Sequence, residues 1–338
     1  MSYQYLHAEE MIKSTRAFSG QSASDAASPL HVAWGIDQNF LFGCGVSITS
    51  ILQHNPDMAF AFHVFIDAIS EEDVQRFAEL AERYRTTVEI HIVDCERLKA
   101  FPTTKNWSVA MYFRFVIGDY FTGRQARILY LDADIVCKGD IRGLAEADLA
   151  GCVAGAVAER DEKWWAMRAG SLACPALAGG YFNSGVLLID IQRWQAERVS
   201  GKAMEMLSDS AITRRLSYMD QDILNMILLG KVKFLDAKYN TQFSLNYELK
   251  PRYVSPIVEE TVLIHYVGPT KPWHYWASYP SAQPFIAARA ASPWRAVPLM
   301  KPGNANYARY CAKHNFKQRR PLAGVLNYLY YFYLKIVK

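Results

Sequence analysis

Two aspartates, Asp132 and Asp134, directly follow an apolar run in the stretch 127–136, which reads Arg-Ile-Leu-Tyr-Leu-Asp-Ala-Asp-Ile-Val. A short, uninterrupted apolar run favours a strand that is covered on both faces, as in a parallel sheet. Because side chains alternate along a strand, we expect both carboxylates to project from the same side. Adjacent carboxylates repel unless a cation lies between them, and a hard divalent ion that carries substrate phosphates would suit that place. A polar loop or a helix cap is the alternative that this pair alone leaves open.

Five further segments place polar or charged side chains beside predicted strand ends and helix starts. They are Gly35-Ile36-Asp37-Gln38-Asn39-Phe40, the segment 112–115 with Arg114, 180–185 with Asn183, 218–222 with Asp220 and Gln221, and 264–274 with His265, Gly268 and Lys271. Taken singly, each has a structural explanation, since Asn183 suits a turn, Asp220 a helix cap and His265 a buried core. Arg114 could equally lie at the surface over its aromatic neighbours.

The elements that must position these residues alternate along the chain. Besides the strand that ends at the acidic pair, apolar patterns predict strands at 31–35, 59–66, 87–93, 184–191 and 262–266, and helices at 45–53, 70–84, 111–121 and 220–229. The β-α-β-α-β order implies an open, mostly parallel sheet that binds its ligands at the carboxyl ends of the strands. Residues 21–29 are rich in Ser and Ala and are predicted to form a loop.

The composition restricts the class of protein. The 338 residues are enough for one large α/β domain or two smaller ones, and 51% apolar against 21% charged residues indicates a globular chain. A net charge of +4, without a basic stripe interleaved with aromatics, does not indicate a nucleic-acid partner. The six cysteines are scattered, which favours reduced thiols in a cytosolic protein. We find neither a secretory signal nor the run of about 20 apolar residues that spans a bilayer.

Other nucleotide-binding folds do not fit. The Gly43-Cys44-Gly45 stretch follows the first strand, but Ile48 stands where a dinucleotide fingerprint needs its third glycine. The chain also lacks a Gly-x-x-x-x-Gly-Lys-Ser/Thr loop and the motifs His-Glu-x-x-His and Gly-x-Ser-x-Gly. Any bound phosphates must therefore be held by a metal ion and by basic side chains.

Together, the ordered motifs from 31 to 274 resemble those of the family-8 retaining glycosyltransferases with a GT-A fold. The chain is especially similar to bacterial lipopolysaccharide outer-core α-1,3-glucosyl- and galactosyltransferases, including their Pro/Trp/Tyr-rich C-terminal segment. The resemblance implies an α/β fold with a GT-A-type open, mostly parallel sheet flanked by helices, and a small α-rich C-terminal extension. We therefore expect an N-terminal extension and linker (1–29), a catalytic domain (30–275) and a C-terminal extension (276–338).

The resemblance also implies the ligands. Asp132, Asp134 and His265 would bind one Mn²⁺ or Mg²⁺ ion on the diphosphate of UDP-glucose or UDP-galactose. The donor would contact Gly35, Ile36, Asp37, Asn39, Phe40, Arg114, Asp132, Ala133, Asn183, Asp220, Gln221, Gly268 and Lys271. Asp37 and Asn39 would serve the uridine. Phe40 stands where the family usually has tyrosine, so stacking on uracil is kept and the phenol contact is lost.

The resemblance assigns catalytic roles to Asp220, Gln221 and Lys271, while Asp161 is a further candidate for contact with the sugar. Retention could proceed by double displacement through Asp220, with Gln221 as an alternative nucleophile, or by attack on the face from which UDP leaves. We favour same-face attack. The rival functions are an α-1,2-linking lipopolysaccharide glycosyltransferase, a glycogenin-like protein glucosyltransferase and a non-catalytic sugar- or nucleotide-binding module.

The end of the chain has its own pattern. Basic residues at 317–320 precede Pro321, and residues 322–337 are dense in Leu, Tyr and Phe. This pattern predicts a helix that lies on anionic lipid. The resemblance implies that this lipid is the cytoplasmic leaflet of the inner membrane of a Gram-negative bacterium. Such docking would bring the enzyme to a lipopolysaccharide core acceptor. The alternative is a helix packed on the protein's own catalytic domain.

Overall fold

An eight-stranded sheet forms the centre of the protein. The computed structural model describes residues 8–20, 28–103 and 108–337, so most of the predicted loop at 21–29 lies outside the described residues. The strands are β1 (Ile12–Ser19), β2 (Leu30–Ile36), β3 (Phe60–Ile66), β4 (Thr87–Val93), β5 (Arg127–Leu131), β6 (Ile135–Cys137), β7 (Ala154–Ala158), β8 (Phe182–Asp190), β9 (Val232–Phe234), β10 (Thr241–Gln242) and β11 (Leu263–His265). The large sheet has the order β1-β4-β3-β2-β5-β8-β7-β9, and β10-β11-β6 form a small second sheet.

The neighbouring strands β4, β3, β2 and β5 are parallel, as predicted. All seven residues of β3 are buried, because helices cover both faces of the sheet. Beyond β5 the sheet becomes mixed, since β8 runs antiparallel to both β5 and β7. The beginning of β8 therefore lies at the same edge of the sheet as the carboxyl end of β5. That edge carries the candidate site.

The helices are α1 (Ala8–Met11), α2 (Gln38–His54), α3 (Glu71–Tyr84), α4 (Phe113–Tyr120), α5 (Arg142–Ala145), α6 (Glu162–Ser171), α7 (Ile191–Ala196), α8 (Val199–Ser208), α9 (Ser210–Thr213), α10 (Met219–Ile227), α11 (Gln283–Ala291), α12 (Ala305–Lys317) and α13 (Pro321–Val337). α2 begins at Gln38, seven residues before its predicted start. Its N-cap is Asp37, whose side chain accepts a hydrogen bond from the Asn39 N–H at 2.9 Å. The predicted helix at 111–121 is a 3₁₀ turn over Val109–Tyr112 followed by α4.

Two glycines of α2 make room for aromatic rings. A Cβ on Gly43 would lie 2.5 Å from the Trp273 ring, and one on Gly45 would lie 2.5 Å from the Trp294 ring. Both tryptophans are buried. The Gly43-Cys44-Gly45 stretch therefore allows close helix packing, and the residues beyond 276 contribute to the same core as α2.

The N-terminal residues add an unpredicted edge strand. β1 pairs antiparallel with β4 from Ile12 to Ser19. Most of its side chains are exposed, so it lacks the apolar alternation that reveals a half-buried strand.

The last two helices are adjacent, and α13 carries an exposed apolar face. Gly324 of α13 lies against the Phe316 ring of α12, and Asn327 donates to the Tyr275 hydroxyl at 3.2 Å. The face with large exposed side chains consists of Leu322, Val325, Leu326, Leu329, Tyr330, Phe332, Tyr333, Ile336 and Val337. Within the described part of the chain, none of the helices is long and apolar enough to cross a bilayer.

A row of three histidines crosses the parallel strands away from the acidic pair. His31 and His63 are joined through ring nitrogens at 2.9 Å, His63 and His91 at 3.2 Å, and His91 reaches the Thr15 hydroxyl at 3.0 Å. The ring planes differ by only 21° and 12° within this row. The row therefore ties β1 to β4, β3 and β2 through side chains as well as through the backbone.

We expect His91 to make the protein less stable in mild acid. Burial, and then the neighbouring His63, lower its pKa from 6.5 to about 3. The folded state therefore binds fewer protons than the unfolded state below pH 6.5, and the contribution of His91 to stability is lost as the pH falls through that value. Between pH 7.5 and 5.5 this loss should be about 1.4 kcal/mol. Urea unfolding measures the free energy of unfolding at both pH values. The difference between pH 7.5 and pH 5.5 should be smaller in His91→Gln than in the wild type. The exposed control His54→Gln should keep the wild-type difference, and an unchanged difference in His91→Gln would contradict the assignment.

Candidate active site

The acidic pair lies in a turn rather than within a strand. β5 ends at Leu131, and β6 begins at Ile135. The Asp132 N–H donates to the Gly185 carbonyl at 2.8 Å, which anchors the turn to β8. The expectation that strand alternation aligns the two carboxylates is therefore wrong. The turn between β5 and β6 brings them together instead.

His265 reaches the acidic pair because β11 pairs antiparallel with β6, with His265 opposite Ile135. Its Nε2 lies 3.1 Å from Asp134 Oδ1 and 3.8 Å from Asp132 Oδ2. The three residues thus offer one imidazole nitrogen and two carboxylate oxygens within 4.8 Å of one another. This donor set fits a divalent ion such as Mn²⁺.

Among the described residues, one other group of this kind is His63, Glu89 and His91. There the imidazole nitrogens of the two histidines face each other at 3.2 Å within the histidine row.

Lys271 adds a positive charge beside the acids. Its ammonium forms an ion pair with Asp134 and donates to the Tyr266 carbonyl at 3.0 Å. Burial by itself would raise the pKa of Asp134, but Lys271 and His265 outweigh it and hold that pKa well below its usual range. Burial likewise opposes charge on His265, but Asp134 raises its pKa overall.

Arg114 lies beneath the acids as a buried bridge, which excludes the alternative of a surface residue. Its guanidinium contacts Asp132 Oδ1 at 3.1 Å and Asp220 Oδ2 at 2.8 Å, and it donates to the Ser184 carbonyl at 2.9 Å. The Tyr130 hydroxyl donates to the same Asp132 oxygen at 2.9 Å. Two carboxylates from distant parts of the chain are therefore held by one cation.

Asp220 is the carboxylate at this site whose pKa is raised. Burial is the main cause that raises its pKa to about 6, and Asp132 adds to the effect, whereas Arg114 opposes it. Asp220 lies in the first turn of α10, as predicted. Its neighbour Asp222 has a structural role, since it accepts from Arg168 and from the Tyr181 hydroxyl.

Asn183 and Gln221 meet at the start of β8. Gln221 Oε1 accepts from the Ser184 N–H at 3.0 Å. Asn183 Oδ1 accepts from the Gly185 N–H at 2.9 Å, and its amide donates to Glu159 Oε2 at 2.7 Å. These side chains therefore lie on the same edge of the sheet as the acids.

The residues predicted for the nucleoside surround the start of α2. Phe40 packs edge-on against Trp273, with 5.7 Å between the ring centres. The Lys271 ammonium lies 5.9 Å from the centre of the Phe40 ring. Asp37 accepts from the Ser108 hydroxyl at 2.8 Å as well as capping α2 at Asn39. The first turn of α2 thus connects to the acids through Lys271.

The remaining predicted residues have visible packing or capping roles. A Cβ on Gly35 would lie 2.7 Å from Phe113 Cβ, next to Ile36 at the end of β2. Gly268 has φ +88° and adjoins Ser244, a backbone conformation that favours glycine. Ala133 is buried between the acids. Asp161 caps α6 by accepting from the Trp164 N–H at 2.9 Å.

Sequence reasoning missed four residues that complete the site: Tyr130, Glu159, Gly185 and Asn240. A Cβ on Gly185 would lie 2.4 Å from His265 Cε1 and 2.9 Å from Asp132 Oδ2. The side-chain oxygen Oδ1 of Asn240 lies 3.0 Å from His265 Nδ1. Glycine inside an apolar strand was the available signal for close approach at 185.

Comparison with known proteins identifies the family. The model of glycosyl transferase family 8 matches residues 31–277, and that of the family's C-terminal region matches residues 279–335. The chain belongs to glycosyl transferase family 8. This family-8 chain is 49% identical over 339 residues to the lipopolysaccharide 1,3-galactosyltransferase of Salmonella typhimurium, and the match covers 100% of both chains.

Two Escherichia coli relatives are also similar. The lipopolysaccharide glucosyltransferase WaaO is 48% identical over 309 residues, with 91% of each chain covered. A lipopolysaccharide 1,2-glucosyltransferase is 37% identical over 315 residues, covering 92% of this chain and 93% of the relative.

The solved galactosyltransferase LgtC, in complex with donor and acceptor sugar analogs, has the same fold. Its TM-score is 0.67 at 24% identity, over 81% of this chain and 98% of LgtC. The predicted family, the GT-A-type fold and the glycosyltransferase activity are confirmed.

Proposed function

We propose that this family-8 enzyme transfers glucose or galactose from a UDP-sugar to the growing lipopolysaccharide outer core, with retention and through an α-1,3 link. The convergence of Asp132, Asp134 and His265 at one edge of the sheet carries the proposal. The sugar and the linkage rest on relatives at 49% and 48% identity, one of which is a 1,3-galactosyltransferase and the other a glucosyltransferase. The 1,2-glucosyltransferase at 37% identity supports the alternative linkage less strongly.

The proposed cofactor is one Mn²⁺ or Mg²⁺ ion held by Asp132, Asp134 and His265. When bound, such an ion neutralises charge on the diphosphate and acts as a Lewis acid. Lys271 would add a fixed positive charge where negative charge develops on departing UDP. Asp37, Asn39 and Phe40 would bind the uridine, with Gly35, Ile36, Ala133 and Gly268 approaching the donor through backbone atoms.

The surroundings of Asp220 support same-face attack over double displacement. One of its oxygens is held by the Arg114 guanidinium at 2.8 Å, so the carboxylate is restrained and partly neutralised. Both effects weaken it as a nucleophile. In the same-face route Asp220, Asn183 and Gln221 orient the transferred sugar, while a UDP oxygen takes the acceptor proton. A glycosyl adduct trapped on Asp220 would overturn this preference.

The function can be tested with purified enzyme and lipopolysaccharides that end at defined core sugars. We expect transfer from UDP-glucose or UDP-galactose, dependent on Mn²⁺ or Mg²⁺, to one outer-core acceptor, and an α-1,3 product by NMR. Absence of transfer to every core acceptor, together with glucosylation of the protein itself, would instead support the glycogenin-like alternative.

We further propose that the enzyme is cytoplasmic and docks on the inner membrane through the C-terminal extension (276–338), which follows the N-terminal extension (1–29) and the catalytic domain (30–275) in the chain. The side chains of Leu326, Leu329 and Ile336 on α13 are 65%, 60% and 84% exposed. Lys317, Arg319 and Arg320 precede the helix and could contact anionic lipid. The opposite side of α13 contacts the protein through Gly324 and Asn327. The helix can therefore pack on the protein with one side and dock on lipid with the other.

The apolar face of α13 should determine vesicle binding. Replacing Leu326, Leu329 and Ile336 together by serine should weaken binding to phosphatidylglycerol vesicles at least about tenfold, because each side chain loses over 1 kcal/mol of burial in lipid. Sedimentation with vesicles measures the effect. Val254→Ser is the control, since Val254 is 94% exposed elsewhere on the surface. Unchanged vesicle binding by the triple variant would reject docking through this helix.

A further inference from the structure

His265 is hydrogen-bonded to a chain of buried side chains that leads away from the acidic pair. His265 Nδ1 lies 3.0 Å from Asn240 Oδ1, and the Asn240 amide donates to Asn183 Oδ1 at 2.9 Å. The Asn183 amide then donates to Glu159 Oε2 at 2.7 Å. All four residues are buried, so these contacts are shielded from solvent.

The direction of the hydrogen bonds is set by Glu159. The Glu159 oxygen accepts this hydrogen bond, so the group of Asn183 that faces it is the NH₂. Asn183 then presents its carbonyl oxygen, which accepts from Asn240 and from the Gly185 N–H. Asn240 must in turn present its carbonyl oxygen to His265. A carbonyl oxygen can only accept, so the proton of the imidazole belongs on Nδ1.

We infer that Asn240 is a positioning residue that keeps a proton on His265 Nδ1, so that Nε2 is the nitrogen left to bind a metal ion among the acids. This is the form in which an imidazole binds a metal ion through Nε2. The inference rests on the proposed metal-dependent function. It adds Asn240 and Glu159 to the residues on which that function depends, although neither contacts the acids.

The backbone fixes where Asn240 lies. It ends a 3₁₀ turn over Ala237–Asn240, directly before β10, which pairs in parallel with β11. Gln242 of β10 is opposite His265, so Asn240 is held two residues earlier, directly before the strand that pairs beside the imidazole. The distance from Asn240 to His265 therefore depends on a regular pairing and not on an unsupported loop.

Two substitutions at Asn240 separate positioning from packing. Asn240→Leu removes the acceptor for the His265 N–H, and we expect the Mn²⁺ affinity to fall about 10- to 100-fold. Asn240→Asp keeps an oxygen toward the imidazole, so its Mn²⁺ affinity should exceed that of Asn240→Leu at least fivefold. Mn²⁺ binding is measured by electron paramagnetic resonance on the full chain with UDP. Asn315→Leu removes a buried amide in α12, outside the site, and should leave Mn²⁺ affinity unchanged.

The proton on His265 Nδ1 gives a second readout that needs no metal and no activity. In ¹⁵N-histidine-labelled protein without metal, His265 should show a protonated Nδ1 in the wild type and should lose this preference in Asn240→Leu. If Asn240→Leu does not fold, Asn240→Ser replaces it, because the shorter hydroxyl cannot reach the ring. Wild-type Nδ1 protonation and Mn²⁺ affinity in the Leu or Ser variant, or equal losses in Asn240→Asp, would overturn the inference. Failure of the wild type itself to bind Mn²⁺ would contradict the proposed cofactor, whereas Nδ1 protonation would still test Asn240.

Discussion

Asp132→Asn is expected to lower metal-dependent sugar transfer by about two to three orders of magnitude, since the charge stabilisation that a bound ion supplies amounts to several kcal/mol. The substitution keeps the shape of the side chain but removes one of the two negative charges that would hold the cation. Its side chain is 30% exposed, and Arg114 keeps Asp220 as a partner, so we expect the fold to survive. The measurement is kcat/KM across a series of Mn²⁺ concentrations.

Asp57→Asn is the matched control for this experiment, because Asp57 is exposed in the turn after α2. It should retain wild-type transfer and wild-type Mn²⁺ affinity. Transfer by Asp132→Asn within threefold of the wild type, at limiting Mn²⁺, would remove Asp132 from the proposed metal site.

Gly185→Ala should be nearly as damaging, although it changes no charge and removes no ligand. The added methyl group would lie 2.4 Å from His265 Cε1, 2.8 Å from His265 Nδ1 and 2.9 Å from Asp132 Oδ2. Contacts this short force the imidazole and the carboxylate to move, and a displacement near 1 Å in a positioned site can cost about a hundredfold in rate. We therefore expect about a hundredfold loss of transfer, together with weaker Mn²⁺ binding.

Gly170→Ala is the control for Gly185→Ala. Gly170 lies in α6, and a Cβ there would meet no atom within 4 Å. Its transfer activity should match the wild type. Circular dichroism should show that both variants fold, and wild-type transfer by folded Gly185→Ala would contradict the close approach at the site.

Local patterns predicted β2, β3, β4, β5, β8 and β11 and the helices α2, α3, α4, α10 and α13, whereas the other strands and helices of the described chain were not predicted. The strand at 87–93 and the helix that follows the cap at Ser70 were predicted from alternation and from capping chemistry, and both are present. The prediction failed where local pattern and position in the fold disagree. β1 is an exposed edge strand, and α2 is predicted only from residue 45, although it begins at Gln38 and packs Gly43 and Gly45 against Trp273 and Trp294.

For the candidate site, the sequence by itself determined which residue types are available: an acidic pair after an apolar run, a histidine in the last strand and a lysine after it. These residues stand out because charged groups beside apolar strands must be paired or bind an ion.

Only the tertiary structure decided how these groups are paired. Arg114 was predicted near the donor, but the fold places it beneath two carboxylates, and Asn240 had no distinguishing pattern at all. The physical reason is that hydrogen bonds and close contacts between distant strands depend on register and packing. Those properties arise from the whole chain and leave no periodic trace around any one residue.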